Sequence, residues 1–255
     1  MPTDLFPREK NGGRVAGSVN EHLMLSLSNL ADDQYGLAQV DNYVDLARHE
    51  FPYQAPVHLK LEARVSEQNL PGTWGFGFWN DPFSFGFGAG GMSRIFPVLP
   101  NAVWFFYGSR ENYLSLADVT PGSGFQAKTW CSSQMSAILS LLAAPGLLLS
   151  LWPTTARLLR RLARNLIKEA STELEISVGH WHSYELIWME NQVVFRVDQL
   201  DVLQTALSPS VRLGLVLWMD NQYFRFDPAG KLGFGFLSVP KEQWLQIKGF
   251  EVTLL

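Results

Sequence analysis

The chain has 255 residues, 47% of them hydrophobic and 13% aromatic, with a formal net charge of −4 and a pI near 5.7. Such a chain can bury a sizeable core, and its slight negative charge argues against a nucleic-acid partner, which requires a basic surface. Cys131 is the only cysteine, so an intrachain disulfide is excluded. The polar stretch MPTDLFPREKNGGR contains no apolar signal-peptide core, and we therefore expect a cytoplasmic protein.

The segment VHLKLEARVS is the clearest predicted strand. Apolar residues alternate with polar ones from Val57 to Val65, which is the pattern of an antiparallel strand with one buried face. Similar patterns predict strands at 102–108, 112–118, 183–190, 192–198, 211–218 and 244–255, with a tight hairpin at Glu190 and Asn191. Many short strands joined by Gly, Pro, Asn and Asp turns predict a sandwich or jelly roll.

The stretch GTWGFGFWNDPFSFGFGAGG, residues 72–91, places aromatic rings at alternate positions. In an extended chain Trp74, Phe76 and Phe78 share one face, and Gly75 and Gly77 lie on the other. The Phe residues after the NDP turn repeat this alternation, so the stretch predicts a hairpin with an aromatic face and a bare face. The glycines would allow a ligand or another segment to approach the backbone closely.

Residues 133–170 interrupt the β pattern. The run MSAILSLLAAPGLLLSLW carries no charge, and the segment PTTARLLRRLARNLIKEA that follows predicts an amphipathic basic helix capped by Thr154 or Thr155. We expect one domain over 1–255 with this helical segment inserted in it. It would pack on the sandwich, serve as a lid, lie in a membrane surface, or span a bilayer, although Pro145–Gly146 divides the apolar run. The residues expected at a membrane surface are Leu148, Trp152, Arg157, Arg160, Arg161 and Arg164.

Three blocks of the sequence resemble the laminarinase- and lichenase-type glycoside hydrolases: LKLEARVSEQNLPGTWGFGFWN, HWHSYELIWMENQVVFRVDQLDVLQT and RLGLVLWMDNQY. The family's Trp-His-x-Tyr strand would correspond to Trp181–Tyr184, and its Val-Asp turn to Val197–Asp198. The resemblance covers about 57–118 and 179–253. It implies an all-β fold, the antiparallel two-sheet jelly-roll sandwich of the concanavalin A-like proteins.

The resemblance does not carry the family's catalytic residues. Those hydrolases place Glu-x-Asp-x-(x)-Glu on the strand after the GTW hairpin, and a retaining mechanism requires two carboxyl groups about 5–5.5 Å apart. The corresponding strand here, NAVWFFYG, contains no acid. Its three positions would be Ala102, Trp104 and Phe106, or else the neighbouring set on the opposite face. We therefore expect the fold without the retaining glycosidase activity.

Aromatic residues in place of acids predict an apolar cleft, although the same rings could simply fill a core. Acids and amides beside these aromatics suit either hydroxyl recognition or turn formation. The candidate ligand-binding residues are Asp41, Tyr43, Trp79, Asn80, Trp104, Phe106, Tyr107, Trp218, Asn221 and Tyr223.

Besides a purely structural module at the periphery of a membrane, two functions remain open from the sequence. The first is non-hydrolytic binding of an amphiphilic or carbohydrate-like ligand (a lipid, terpenoid or glycan) near a membrane surface. The second is a cyclase or isomerase acting on a lipid or terpenoid. In that enzyme Asp81 or Asp220, kept protonated by apolar surroundings, would donate a proton. His180 and His182 have no evident third ligand beside them, and no nucleotide or phosphate fingerprint is present, so we expect neither a metal site nor a cofactor.

Overall fold

The computed structural model describes residues 5–82, 98–117, 122–132 and 153–255. Two antiparallel sheets of seven strands lie face to face, with a two-stranded ribbon beside them. The first sheet has the order β1-β4-β13-β6-β7-β8-β9, and its strands are Phe6–Lys10 (β1), Leu37–Asp41 (β4), Thr73–Trp79 (β6), Ala102–Gly108 (β7), Gly124–Ser132 (β8), Ile167–Glu173 (β9) and Gly214–Asp220 (β13).

The second sheet has the order β12-β11-β10-β5-β16-β3-β2. Its strands are Gly13–Gly17 (β2), His22–Leu27 (β3), Val57–Val65 (β5), His182–Trp188 (β10), Val193–Val197 (β11), Leu200–Thr205 (β12) and Gln243–Leu254 (β16). The ribbon consists of Gln222–Phe226 (β14) and Leu232–Phe236 (β15). The described helices are α1, Pro153–Leu166, and a 3-10 turn, Arg48–Glu50. The predicted all-β jelly-roll sandwich is confirmed.

The inner core lies between the two sheets and is rich in aromatic rings. Phe76 of β6 packs 5.1 Å from Tyr184 of β10, and Phe105 of β7 packs 5.2 Å from Phe195 of β11, as measured between ring centroids. Trp74 lies in the same core, so the predicted aromatic face of β6 is confirmed as the buried face between the sheets.

The first sheet is also buried on its outer face. Val103 and Phe105 of β7 point into the inner core, whereas Ala102, Trp104 and Phe106 belong to a separate cluster on the other side. Every residue of β7 and β13 is consequently buried. A strand covered on both faces has no solvated alternate positions, and this explains the continuous apolar runs in these two strands.

Three local predictions have different outcomes in the structure. Residues 112–117 of the segment 112–118, which was predicted as a strand, form a loop across the outer face of the first sheet, with a bridge from Tyr113 to Arg225 of the ribbon; residue 118 lies outside the described residues. The second arm of the predicted 72–91 hairpin lies outside the described residues. The predicted hairpin at Glu190 and Asn191 is confirmed, since β10 and β11 pair directly on either side of it.

The inserted helix is shorter than predicted. It begins at Pro153, so Thr154 and Thr155 lie in its first turn and do not precede it, and it ends at Leu166. Residues 167–170 form the start of β9, because this segment pairs with the end of β8, with Ile167 opposite Ser132. The apolar run 135–152, with Leu148 and Trp152, lies outside the described residues. Among the helices that are described, none is long and apolar enough to cross a membrane.

Candidate functional site

The outer face of the first sheet holds a cluster of large rings, which we call the outer cluster. Its buried members are Tyr43, Phe51, Ala102, Trp104, Phe106, Trp130, Ile167, Val216 and Trp218, with Trp79 partly buried against them. Trp104 lies at the centre, with ring centroids 5.2 Å from Trp218, 5.3 Å from Phe106, 5.6 Å from Trp130 and 5.7 Å from Trp79. The outer cluster therefore brings together five of the predicted ligand-binding aromatics, namely Tyr43, Trp79, Trp104, Phe106 and Trp218.

Glycines on β6 make room for these rings. In the register of the sheet Gly75 lies opposite Trp218, and Gly77 lies opposite Trp104. A Cβ on Gly75 would be 2.6 Å from a ring atom of Trp218, and one on Gly77 would be 2.6 Å from the Cβ of Trp104. The indole ring of Trp218 thus lies over Gly75, and the chain of β7 at Val103 and Trp104 lies against Gly77.

The outer cluster is covered and does not form the open cleft that the sequence suggested. Trp104 is only 5% exposed, and Phe106 and Trp218 are buried to a similar extent. The described residues that pack against the cluster from outside are Leu46, Leu99, Leu114, Leu116, Ala163 and Leu166. Any ligand of this face must therefore displace part of the cover or enter beside Trp79.

Trp104 differs from the other tryptophans of the outer cluster in its hydrogen bonding. The indole Nε1 of Trp218 donates to Thr73 (3.0 Å), that of Trp79 donates to the Tyr43 hydroxyl (2.5 Å), and that of Trp130 donates to Glu169 (3.3 Å). The buried Nε1 of Trp104 has no acceptor within the described parts of the chain. An unsatisfied buried donor costs about 1–3 kcal/mol, so this position favours an acceptor from outside the protein.

Asp220 lies at the end of β13, on the same face as Trp218. Its Oδ1 accepts hydrogen bonds from the Thr73 hydroxyl (2.8 Å) and from the backbone N–H of Gln222 (3.3 Å). Burial raises the pKa of Asp220 to about 7, although both hydrogen bonds act to lower it. Near neutral pH this carboxyl can therefore either hold or release a proton.

Asp41 lies on β4 and is fully buried. Its carboxylate pairs with Arg8 (2.7 Å) and accepts hydrogen bonds from the side-chain amide of Gln39 (2.7 Å) and the backbone N–H of Tyr43 (3.1 Å). Burial raises the pKa of Asp41, and the Arg8 guanidinium opposes this. The acid is thus held in place by three surrounding donors.

Asp41 and Asp220 do not form a glycosidase pair. Asp41 lies opposite Val216 in the sheet, four positions along β13 from Asp220. Four residues of an extended strand span about 13 Å, well beyond the carboxyl separations of about 5–9.5 Å used by glycosidases. The two acids lie on the same face of the sheet, but their carboxyl groups have different hydrogen-bond partners.

Asn80 and Asn221, which are predicted ligand-binding residues, both hydrogen-bond to the backbone. The Asn80 amide accepts from the Asn101 backbone N–H and donates to the Leu99 carbonyl, both at 2.9 Å. The fully buried Asn221 amide accepts from the Gly36 N–H (2.9 Å) and donates to the carbonyls of Gln34 and Leu237 (2.8 and 2.7 Å). These bonds tie both amides to neighbouring backbone segments.

Tyr107, Tyr223 and Asp81 also lie elsewhere than predicted. Tyr107 points into the inner core, where it stacks on Trp74 and donates to the Leu70 carbonyl at 3.1 Å. Tyr223 belongs to the ribbon, so it is no part of the outer cluster. Asp81 is buried in the turn after β6 with a positive φ of 45°, and its carbonyl accepts from Arg48 at 2.7 Å.

A buried charged group beneath α1 has no counterpart among the sequence predictions. The Glu169 carboxylate accepts from the Ser115 hydroxyl (2.5 Å) and the Leu116 N–H (2.8 Å), in addition to Trp130, and lies 3.5 Å from the ammonium of Lys128. Burial lowers the pKa of Lys128 to about 8, against the opposing effect of Glu169. Nothing in the local sequence signals this pair, because its members come from different strands.

Arg160 is buried, contrary to its predicted place at a membrane surface. It is 3% exposed and donates to the carbonyls of Ser115 (2.7 Å), Leu116 (3.0 Å) and Phe226 (2.6 Å). The other predicted surface arginines of α1, namely Arg157, Arg161 and Arg164, are exposed.

The described residues contain no group of three or more His, Cys, Asp or Glu side chains that could hold a metal ion. His182 contacts Asp198 through Nδ1 (2.6 Å) and the Ser177 carbonyl through Nε2 (3.1 Å). These contacts fix the turn between β11 and β12 against the start of β10.

The fold is similar to that of solved glycoside hydrolase structures. A glycoside hydrolase family protein from Mycobacterium thermorestibile is 10% identical, with a TM-score of 0.50 over 99% of this chain and 93% of that one. The GH16 protein of the Bacteroides ovatus mixed linkage glucan PUL is 10% identical, with a TM-score of 0.49 over 100% and 96%. A sialidase matches 98% of this chain (9% identity, TM-score 0.46), and this chain spans only 17% of its length.

No family model and no curated protein matches the sequence. At such low identity the structural likeness shows the fold alone. The resemblance to glycoside hydrolase jelly rolls, inferred from the sequence, is confirmed at that level.

Proposed function

We propose that the protein binds a carbohydrate at the outer cluster and does not cleave it by the retaining mechanism. The observation that carries this proposal is the buried Trp104 indole N–H without an acceptor among the described residues, at the centre of stacked aromatic rings. Sugar rings pack on aromatic faces, and their hydroxyls supply the acceptor that this donor lacks. The acids Asp41 and Asp220 at the margin of the cluster would fix further hydroxyl groups.

Two features support binding without retaining hydrolysis. The outer-face side chains of β7 are Ala102, Trp104 and Phe106, none of which can act as a nucleophile or a general acid. Asp41 and Asp220, two acids of this face, are too far apart along the sheet to share one glycosidic bond.

Calorimetric titration with a mixed-linkage glucan tetrasaccharide tests the proposal. Trp104→Phe keeps an aromatic ring and removes the N–H, and we expect it to weaken binding about tenfold or more, in line with the loss of a buried hydrogen bond. Trp74→Phe is the matched control, because Trp74 is equally buried, also has an unpartnered Nε1 within the described parts of the chain, and lies in the inner core.

Equal affinity of the wild type and Trp104→Phe would refute the site. Failure of the wild type to bind this probe and a panel of acidic and neutral oligosaccharides would refute the function.

A second candidate is an enzyme of the cyclase or isomerase type that acts on a lipid or terpenoid. The pKa of about 7 at Asp220 favours it, since a carboxyl that stays protonated among aromatic rings can donate a proton. The faces of Trp218 and Phe106 would stabilise the positive charge that develops. Asp220→Asn separates the two candidates, because it should abolish turnover but retain binding.

We further propose that the protein works at the periphery of a membrane, which suits an amphiphilic ligand. The segment 133–170 supports this proposal through its uncharged run and its basic helix. Flotation with lipid vesicles tests it directly.

A further inference from the structure

Helix α1 packs on the body of the protein through an unusual face. Ala156 is fully buried, Arg160 is nearly so, and Ala163 and Leu166 pack against the outer cluster. These positions are spaced three or four residues apart, so they form one stripe along the helix. The packed stripe therefore consists of two alanines, one arginine and Leu166. The larger apolar residues Leu158 and Leu162 lie outside it.

Arg160 ties this stripe to two separate parts of the chain. Its guanidinium donates to the carbonyls of Ser115 and Leu116 in the loop after β7 and to that of Phe226 at the end of β14. It also lies 5.3 Å from the centre of the Tyr113 ring. Because the contacts come from independent segments, they fix the rotation of α1 about its own axis.

The opposite face of α1 is both apolar and basic. Leu158 and Leu162, one turn apart, are 52% and 49% exposed. Arg157 and Arg161 are exposed beside them, and α1 contains no acidic residue. Exposed leucines flanked by arginines match a lipid surface, where the leucines enter the acyl boundary and the guanidinium groups meet headgroup phosphates.

We propose that Leu158, Leu162, Arg157 and Arg161 form the docking surface for a bilayer rich in anionic lipid. This rests on the membrane association proposed above and identifies the face and the lipid class that it requires. Charge complementarity favours an anionic bilayer over a neutral one, since three exposed arginines (Arg157, Arg161 and Arg164) and no acid lie on this helix. Docking through this face would turn the outer cluster, which lies under α1, towards the membrane.

Flotation of the full-length protein provides the test. The probes are vesicles of phosphatidylcholine with about 30% phosphatidylserine, compared with vesicles of phosphatidylcholine alone. We expect the double variant Leu158→Ser/Leu162→Ser to lose binding to anionic vesicles about tenfold or more, and Arg161→Gln to lose it about fivefold. Leu200→Ser is the matched control, because Leu200 is 71% exposed on the edge strand β12 of the other sheet.

Each outcome decides the proposal. Equal flotation of the double variant and the wild type overturns it, as does equal binding of the wild type to the two kinds of vesicle. A change in oligomeric state on Leu158→Ser/Leu162→Ser, measured by analytical ultracentrifugation, assigns the face to a second copy of the chain instead. Oligosaccharide titration of the double variant stays at the wild-type value if docking alone fails, so this result is distinct from failure of the carbohydrate site.

Discussion

Replacing Asp220 by Asn should raise the free energy of unfolding at pH 8 and leave it nearly unchanged at pH 3. The folded protein keeps the Asp220 carboxyl protonated up to about pH 7, whereas the unfolded chain releases this proton near the ordinary aspartate value of 3.8. Between these values the folded state binds more protons, so this group's contribution to stability falls as pH rises. An asparagine has no such proton to release, and its amide oxygen can accept the same hydrogen bonds from Thr73 and Gln222.

The size of the effect follows from the displacement of the pKa. A shift from 3.8 to about 7, at about 1.4 kcal/mol for each unit, gives about 4 kcal/mol at pH 8. At pH 5, which is closer to the unfolded pKa than to the folded pKa, the expected difference in unfolding free energy between variant and wild type is about 1.5 kcal/mol. A carboxyl that costs the fold this much is a candidate for a functional role.

Urea denaturation from pH 3 to pH 8 measures the difference between wild type and variant. Asp227→Asn is a control of opposite sign: although burial opposes it, the Lys231 N–H and the Arg225 guanidinium lower the pKa of Asp227. In the wild type the Asp227 carboxylate stabilises the fold above its unfolded pKa, and this contribution disappears as pH falls. Asp227→Asn should therefore be less stable than the wild type near neutral pH and nearly as stable at low pH. Parallel pH profiles for wild type and Asp220→Asn would show that the pKa of Asp220 is not raised.

Two further substitutions test the packing around the site. Glu169→Gln should lower the free energy of unfolding by about 3–5 kcal/mol, because it leaves the buried Lys128 ammonium without its carboxylate partner. Urea denaturation measures this loss, and a value below about 1 kcal/mol would contradict a buried ion pair. Gly75→Ala should cost about 1–3 kcal/mol, measured as a fall in Tm, by driving a Cβ against the Phe105 carbonyl oxygen and the Trp218 ring. Gly179→Ala is the matched control for it, since its Cβ would meet only a carbonyl at 4.0 Å, and equal Tm values for the two variants would refute the steric argument.

The sequence predicted strands well where one face is solvated. Alternation from Val57 to Val65 located β5 and its buried face correctly, and the rings of β6 were correctly predicted to share one face. The covering of the outer cluster could not be predicted. A strand with rings at alternate positions has the same sequence pattern whether solvent or another layer of side chains covers those rings. The cover comes from Leu114, Leu116 and Leu166, which lie far from β6 in the chain.

The orientation of α1 shows the same limit. Helical periodicity placed the leucines inside and the arginines outside, yet Leu158 and Leu162 are exposed and Arg160 is buried. The arginine is stable there because three carbonyls from distant segments satisfy its guanidinium, and local periodicity carries no information about such partners. The raised pKa of Asp220 was expected from its aromatic surroundings, because burial needs no particular partner.

Because the first sheet carries side-chain layers on both surfaces, we expect the protein to tolerate point changes in α1 better than the removal of this helix. A shortened chain without this helix would expose Trp130 and Ile167 to water. Newly exposed apolar surface of this kind promotes aggregation. Poor solubility of a truncated chain would then arise from lost shielding and would say little about lipid affinity. Single-residue exchanges on the outward side of the helix are the cleaner way to separate these two properties.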